Sequence, residues 1–249
     1  MTREVVEHLP GRPDTAWVLT CEHASQDLPD GWTWPDEDRP LLDTHWAVDL
    51  GIADLTRGLA KRLHAPAVLA RFSRLLIDPN RELASGTLFR RRCDGIEVAL
   101  NRRLSVQEQE RRIQQCYEPF HAAVDATVRA NPRANLLSMH SFTPVYEGGE
   151  PRWMEVGVLF DHDEELAHHI AGHLEASGLK VALNAPYTGK GGLMYSASHH
   201  AQQHGRLAVE LEIRQDLATD PPQFPRLVDA IAKAVHAVAV PVPTDGSAP

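Results

Sequence analysis

Cysteine is scarce in this 249-residue sequence, which has only Cys21, Cys93 and Cys116. An odd number of cysteines with no close pair predicts neither a disulfide framework nor a CxxC metal clip. A chain of this length buries about 70–75% of the surface that its unfolded state exposes, so its hydrophobic core can hold the fold without cross-links.

The sequence is also poor in basic residues and in long apolar runs. The sequence has 25 Lys and Arg residues against 34 Asp and Glu residues, for a formal net charge of −9. This balance argues against a general nucleic-acid binder, which needs clustered basic residues, but permits a small anionic substrate in a local basic pocket. No apolar run approaches the ~20 residues that cross a bilayer. Because the first ten residues also lack the order of a secretory signal, we expect a soluble cytoplasmic protein with no nucleic-acid or membrane partner.

Strand-like and helix-like patterns alternate along the chain. Short apolar runs predict strands at residues 16–20, 67–70, 75–77, 135–140, 156–160, 181–183 and 207–213. Apolar residues at helical spacing predict helices at residues 46–63, 105–130, 164–177 and 226–238. This alternation predicts an α/β fold with a mainly parallel sheet covered on both faces. We expect one domain over residues 1–240, a flexible tail over 241–249, and a polar loop around His199 and His200.

Three histidines stand out by their positions. His23 and His140 end predicted strands, and His45 precedes a predicted helix. Ligands of open α/β sheets bind outside the carboxyl ends of the strands, and neutral imidazoles with a carboxylate suit a catalytic Zn²⁺ site. Asp43 or Glu22 could ligate the ion or orient a histidine. The alternative is that each histidine ends a loop and is satisfied by backbone hydrogen bonds.

Two carboxylates interrupt the last predicted strand. Glu210 and Glu212 alternate with apolar residues, so the two-residue period of a strand places both on one face of the sheet. A metal hydrolase needs such a carboxylate to take a proton from water and pass it to the leaving nitrogen. The alternative is an ion pair with Arg214 on an edge strand.

Arginines cluster in the centre of the chain. Arg71, Arg74 and Arg81 surround Asp78 and Asn80, and such a run could bind an acidic substrate through paired hydrogen bonds or form a solvated turn with local ion pairs. A denser basic stretch is typical of a solvated loop, and it contains Arg90, Arg91, Arg92, Arg102 and Arg103.

Six segments together resemble the N-formylglutamate amidohydrolase family. They occur in the family's order and span residues 19–217, most of the chain. The segments are CEHAS (21–25), HWAVDLG (45–51), SRLLIDPNR (73–81), YEPFH (117–121), MHSFTP (139–144) and LEIRQDL (211–217).

The resemblance implies a three-layer α/β/α sandwich with a mainly parallel or mixed sheet, like that of zinc-dependent exopeptidases. It implies one divalent metal ion, expected to be Zn²⁺, although Mn²⁺ and Co²⁺ accept similar ligands. His23 and His140 would be ligands, with His45 as the third and Asp43 as its rival. Glu212 would be the general base, and Arg74 would stabilise the oxyanion. The residues expected to face the substrate are Arg74, Asn80, Arg81 and Ser141.

The implied reaction is hydrolysis of the N-formyl amide of an acidic amino acid such as N-formyl-L-glutamate, giving formate and glutamate. Residues 93–101 keep only part of the family's Pro-Gly-Asn turn, which leaves the acyl group and the amino acid open. One alternative is another N-acyl amino acid hydrolase or a carboxypeptidase-like enzyme. A second is a non-catalytic module that binds a metabolite. The sequence does not decide the oligomeric state.

Overall fold

A computed structural model describes residues 4–146 and 148–238 of the chain. Its centre is a seven-stranded sheet with the strand order β1-β3-β2-β6-β9-β7-β8. These strands are β1 (Val6–Leu9), β2 (Trp17–Cys21), β3 (Ala67–Ala70), β6 (Asn135–Phe142), β7 (Val156–Leu159), β8 (Val181–Leu183) and β9 (Ala208–Arg214). A separate two-stranded hairpin is formed by β4 (Arg92–Cys93) and β5 (Ile96–Glu97).

The sheet is mixed but mostly parallel. Strand β2 pairs in parallel with β3 and β6, β6 pairs in parallel with β9, and β7 pairs in parallel with β8. The antiparallel pairs are β1 with β3 and β7 with β9. The predicted α/β fold class with a mainly parallel or mixed sheet is therefore confirmed.

Helices cover both faces of the sheet. On one face, α1 (Ile52–Leu63), α4 (Glu164–Ala176) and α7 (Gln223–Ala237) pack on one large apolar core. On the other, α3 (Glu118–Ala130) and α5 (Tyr195–His204) pack on a second core. Among the described residues, the remaining α-helices are α2 (Val106–Arg112) and the short α6 (Gln215–Ala218), and 3-10 helices span Asp36–Leu41 and Ala99–Asn101. The result is a three-layer α/β/α arrangement.

Helix α1 shows why the chain is helical where it is. Ile52, Leu55 and Leu59 lie at helical spacing and are fully buried, so they form one apolar stripe against the sheet. The helix starts later than the predicted residue 46, because Gly51 takes a left-handed conformation with φ of 78° and ends a turn before the helix begins. The turn before α1 therefore places polar residues next to the carboxyl end of β2.

Two sequence predictions were wrong. Residues 75–77 form a buried turn instead of a strand. The reason is that the Ser73 hydroxyl accepts a hydrogen bond from the Leu75 N–H, and the Ser73 carbonyl accepts one from the Leu76 N–H. His199 and His200 lie in α5, not in a polar loop, because one face of that helix buries Ala197 and Ala201 against the sheet. Between α2 and α3, a π-helical segment, Ile113–Tyr117, interrupts the single predicted helix.

No helix among residues 4–146 and 148–238 is long and apolar enough to span a membrane. The predicted tail, residues 241–249, lies outside the described residues.

Candidate metal centre and active site

The alternation of side chains along the central strands places one polar group on a single face of the sheet. Leu137, Met139, Val209 and Leu211 belong to the core beneath α1, α4 and α7. The residues between them therefore point to the opposite face. His140 stands beside Glu212 in the β6–β9 register, and Ser138 stands beside Glu210. The predicted placement of Glu210 and Glu212 on one face is what the structure shows.

His23 and Asp49 complete this group from neighbouring segments. His23 follows β2, the strand next to β6, and Asp49 lies in the turn before α1, whose path is fixed by the Asp49 N–H donating to the His23 carbonyl at 3.1 Å. The Asp49 carboxylate Oδ2 lies 2.9 Å from His140 Nδ1 and 3.4 Å from His23 Nδ1. Two imidazole nitrogens and a carboxylate oxygen thus face one point.

The remaining nitrogen of each histidine contacts another buried carboxylate. His23 Nε2 lies 2.8 Å from Asp78 Oδ1, and His140 Nε2 lies 3.2 Å from Glu22 Oε2. Ligating histidines characteristically hold a carboxylate or carbonyl on their second nitrogen, which fixes the ring and the tautomer. His23 Nδ1 has no hydrogen-bond partner within the described part of the chain. The residues present therefore fit a divalent metal ion held by His23, Asp49 and His140.

The electrostatics also favour a cation. Glu22, Asp49, Asp78, Glu210 and Glu212 are all buried here. Burial opposes ionisation of Asp78, but Arg74 and His23 hold its pKa well below the usual range. Burial likewise opposes the charged form of His140, yet the surrounding carboxylates raise its pKa well above the ordinary value.

Glu212 differs from the other carboxylates. Its Oε2 atom is buried without a hydrogen-bond partner among the described residues. Burial raises the pKa of Glu212 to about 8, an effect that His140 opposes and Asp49 reinforces. Together with Glu210 and His140 it forms a second group of side chains whose ligand atoms lie within 4.8 Å of one another. A carboxyl group with a raised pKa beside a metal centre suits proton transfer near neutral pH.

The group lies at the base of a cavity of about 180 Å³. Arg74 donates to Asp78 at 3.1 Å and to Asp49 at 3.5 Å. Asn80 donates to Glu210 at 3.2 Å, and Ser141 donates to the Leu50 carbonyl at 2.9 Å. Arg81 lines the cavity as well, so all four predicted substrate-facing residues reach it.

The two rivals for the third ligand position lie elsewhere. His45 lines the cavity, but its ring packs against Trp46 at 4.4 Å and it belongs to neither group of clustered ligand atoms. Asp43 does not line the cavity, and its carboxylate accepts a hydrogen bond from Gln26 at 2.7 Å on an exposed turn. The structure brings Asp49 to His23 and His140 in their place.

Sequence reasoning missed three residues of the site. Asp49 lies within the HWAVDLG segment (45–51), and its place in that segment is the signal that could have found it. The sequence pattern indicates Asp78 only as a local partner for arginines. It predicts a solvated loop for Arg90, which lines the cavity.

Comparisons with known proteins confirm the family resemblance of the sequence. The sequence model of a family described as N-formylglutamate amidohydrolase matches residues 15–219. A solved gene product of Agrobacterium tumefaciens is 29% identical with a TM-score of 0.84, over 95% of this chain and 96% of that one. A solved N-formylglutamate amidohydrolase from Ralstonia eutropha is 23% identical with a TM-score of 0.70, over 95% of this chain and 97% of that one. A search of curated protein sequences gives no match.

Proposed function

The chain belongs to the N-formylglutamate amidohydrolase family, and from that premise we propose that it hydrolyses N-formyl-L-glutamate to formate and L-glutamate in a metal-dependent reaction. Family membership supports the coarser statement, an amidohydrolase of N-acyl amino acids. One observation supports the metal dependence: His23, Asp49 and His140 converge on one point with the unpaired carboxylate oxygen of Glu212 in the same cavity. The substrate is proposed from the family's description.

We assign the metal to His23, Asp49 and His140, so Asp49 replaces the predicted His45 or Asp43 as the third ligand. Asp78 and Glu22 would orient the two imidazoles through their other nitrogens. A bound Zn²⁺ would supply Lewis-acid chemistry, polarising the formyl carbonyl and lowering the pKa of water toward about 7.

Glu212 would be the general base and then the general acid. Its carboxylate takes a proton from the water whose oxygen adds to the formyl carbon. The C–N bond then breaks, and Glu212 returns the proton to the departing amine nitrogen. Glu212 suits this exchange because burial raises its pKa to about 8 in the metal-free protein, and a bound cation would lower that pKa toward neutral pH.

Arg74 would stabilise negative charge on the formyl oxygen. Its guanidinium is held by Asp49 and Asp78, so it is fixed before the substrate binds. Asn80, Arg81 and Ser141 would hold the substrate against the catalytic groups.

A formate-release assay on Zn²⁺-loaded protein tests the proposal. N-formyl-L-glutamate should be hydrolysed, and Glu212→Gln should lower turnover by about 10²–10⁴-fold, the usual size of a general acid–base contribution. Metal content and substrate binding should stay unchanged in that variant. Glu108→Gln, which alters a carboxylate outside the cavity, is the matched control and should keep full activity.

The same assay separates the alternatives. N-acetyl and N-succinyl amino acids and short peptides should be poorer substrates than N-formyl-L-glutamate. Faster turnover of any of them would replace the proposed substrate and keep the amidohydrolase chemistry. Full activity in Glu212→Gln would contradict the assignment of the base.

A further inference from the structure

Arg90 is a cation in the wall of the cavity. It is partly buried, and its guanidinium carbon lies 5.4 Å from the centre of the Trp46 ring. Across the residues that the structure describes, its side chain makes no hydrogen bond or ion pair. A guanidinium in such a position gains from stacking on an aromatic face, but its hydrogen-bond donors remain available.

The neighbouring arginines of the cavity already have some of their donors in use. Arg74 is paired with Asp49 and Asp78. Arg81 donates to the carbonyl oxygens of Asn80 at 2.6 Å and Leu193 at 3.2 Å. Arg90 is therefore the arginine best able to form a paired hydrogen bond with an incoming carboxylate.

The backbone of Arg90 is held in place by a buried network. Asn101 donates through Nδ2 to the Arg90 carbonyl at 2.7 Å and to the Leu75 carbonyl at 2.8 Å. The Oδ1 atom of Asn101 accepts a hydrogen bond from Arg112 at 2.6 Å. Asn101 is 1% exposed, so this anchor is rigid. A cation fixed before binding loses little entropy when a ligand arrives.

The electrostatic setting of Arg90 favours an anion. Burial and the nearby positive charge of Arg74 lower the pKa of its guanidinium, and the negative charge of Asp78 offsets this only in part. A half-buried charge is costly when it forms no ion pair, and a carboxylate bound to Arg90 would relieve this cost.

We propose that Arg90, stacked on Trp46, binds the side-chain carboxylate of the substrate and so selects N-acyl derivatives of acidic amino acids. The inference rests on the proposed function and deepens it. The α-carboxylate is attached to the carbon that bears the scissile nitrogen, so it stays with the amide beside the catalytic groups. The side-chain carboxylate extends away from them, and Arg90 contacts Trp46 instead of the metal-binding residues.

The test compares N-formyl-L-glutamate with N-formyl-L-glutamine, which keeps the shape of the side chain but removes its charge. The wild-type protein should prefer the glutamate derivative. In Arg90→Gln that preference, measured as a ratio of kcat/KM values, should fall by about 10- to 100-fold, the value of a hydrogen bond to a charged group. Activity on the glutamine derivative should change little, and Arg90→Lys should retain part of the preference.

Arg91→Gln is the matched control, because it removes the same charge from the adjacent, exposed residue. It should leave the preference unchanged. An Arg90→Gln variant that keeps the wild-type preference, or loses activity equally on both substrates, would overturn the inference. So would a wild-type protein that does not discriminate between them.

Binding of L-glutamate and L-glutamine, measured by calorimetry, separates the inference from the proposed function. Selective glutamate binding that Arg90→Gln abolishes would support the inference even if the wild-type protein hydrolyses neither derivative, in which case the proposed reaction alone fails. A wild-type protein that neither hydrolyses the derivatives nor binds glutamate would overturn both.

Discussion

Replacing Asp78 with asparagine should weaken metal binding although Asp78 is not a proposed ligand. Its Oδ1 atom contacts His23 Nε2 at 2.8 Å, and its Oδ2 atom accepts a hydrogen bond from Arg74 at 3.1 Å. Asparagine keeps one acceptor oxygen, but it removes the negative charge that makes His23 a strong ligand. It also turns an amide N–H₂ group toward Arg74 or the imidazole of His23.

The expected magnitude follows from these contacts. Removing the carboxylate partner of a ligating histidine usually lowers metal affinity about 10- to 100-fold, or about 1.4–2.8 kcal/mol. Breaking one buried ion pair costs a further ~3 kcal/mol of folding free energy. Arg74 limits this loss because it keeps its second partner, Asp49, at 3.5 Å.

Competition between the protein and a chromophoric Zn²⁺ chelator measures the affinity, and urea unfolding of the metal-free protein measures the stability. Glu108→Gln is the control, because Glu108 pairs with Arg111 and Arg112 in α2 and does not line the cavity. It should reduce stability by ~1–2 kcal/mol and leave the affinity for Zn²⁺ unchanged. An Asp78→Asn protein of lower stability but wild-type affinity would show that Asp78 serves only as an ion-pair partner of Arg74.

Two further predictions concern the fold. Gly157 pairs with Glu212 in the sheet, and a Cβ atom there would stand 2.2 Å from the Ala185 carbonyl oxygen. Because of this clash, Gly157→Ala should lower the free energy of unfolding in urea by about 3 kcal/mol. Gly172→Ala, where a Cβ meets nothing within 4 Å, should stabilise α4 by up to ~1 kcal/mol, and a loss there comparable to that of Gly157→Ala would contradict the packing argument. Burial opposes ionisation of Glu108, but hydrogen bonds from Arg111, Trp32 and Arg112 outweigh it and lower the pKa of Glu108 from 4.5 to about 2. The ionised Glu108 therefore stabilises the fold above pH 4.5, and this stabilisation is lost as the pH falls toward 2. The difference in unfolding free energy between wild type and Glu108→Gln should therefore shrink across that range, and a difference independent of pH would refute the assignment.

The local sequence pattern was sufficient to predict those site residues whose positions the sheet determines. The period of a strand placed Glu210 and Glu212 on one face, and the order of parallel strands brought His23 and His140 to adjacent carboxyl ends. Both features depend on backbone geometry that a strand repeats regardless of its surroundings. The same reasoning identified the correct fold class.

Position in turns could not be predicted in this way. Asp49 reaches the site because its turn is tied to the His23 carbonyl, and Arg90 reaches the cavity because Asn101 holds its backbone. Such contacts join residues distant in sequence, and no local periodicity reports them. The strand predicted at residues 75–77 was wrong for a related reason. An apolar run shows that a segment is buried, but it does not distinguish a strand from a turn that Ser73 stabilises.

Titration of metal-stripped protein with Zn²⁺ tests the central claim most directly. We predict one tight site per chain that is lost in His23→Ala, Asp49→Ala and His140→Ala and retained in His45→Ala and Asp43→Ala. Circular dichroism of each metal-free variant confirms that it is folded. The absence of a specific site in the wild-type protein, or a site that needs His45 and not Asp49, would contradict the account.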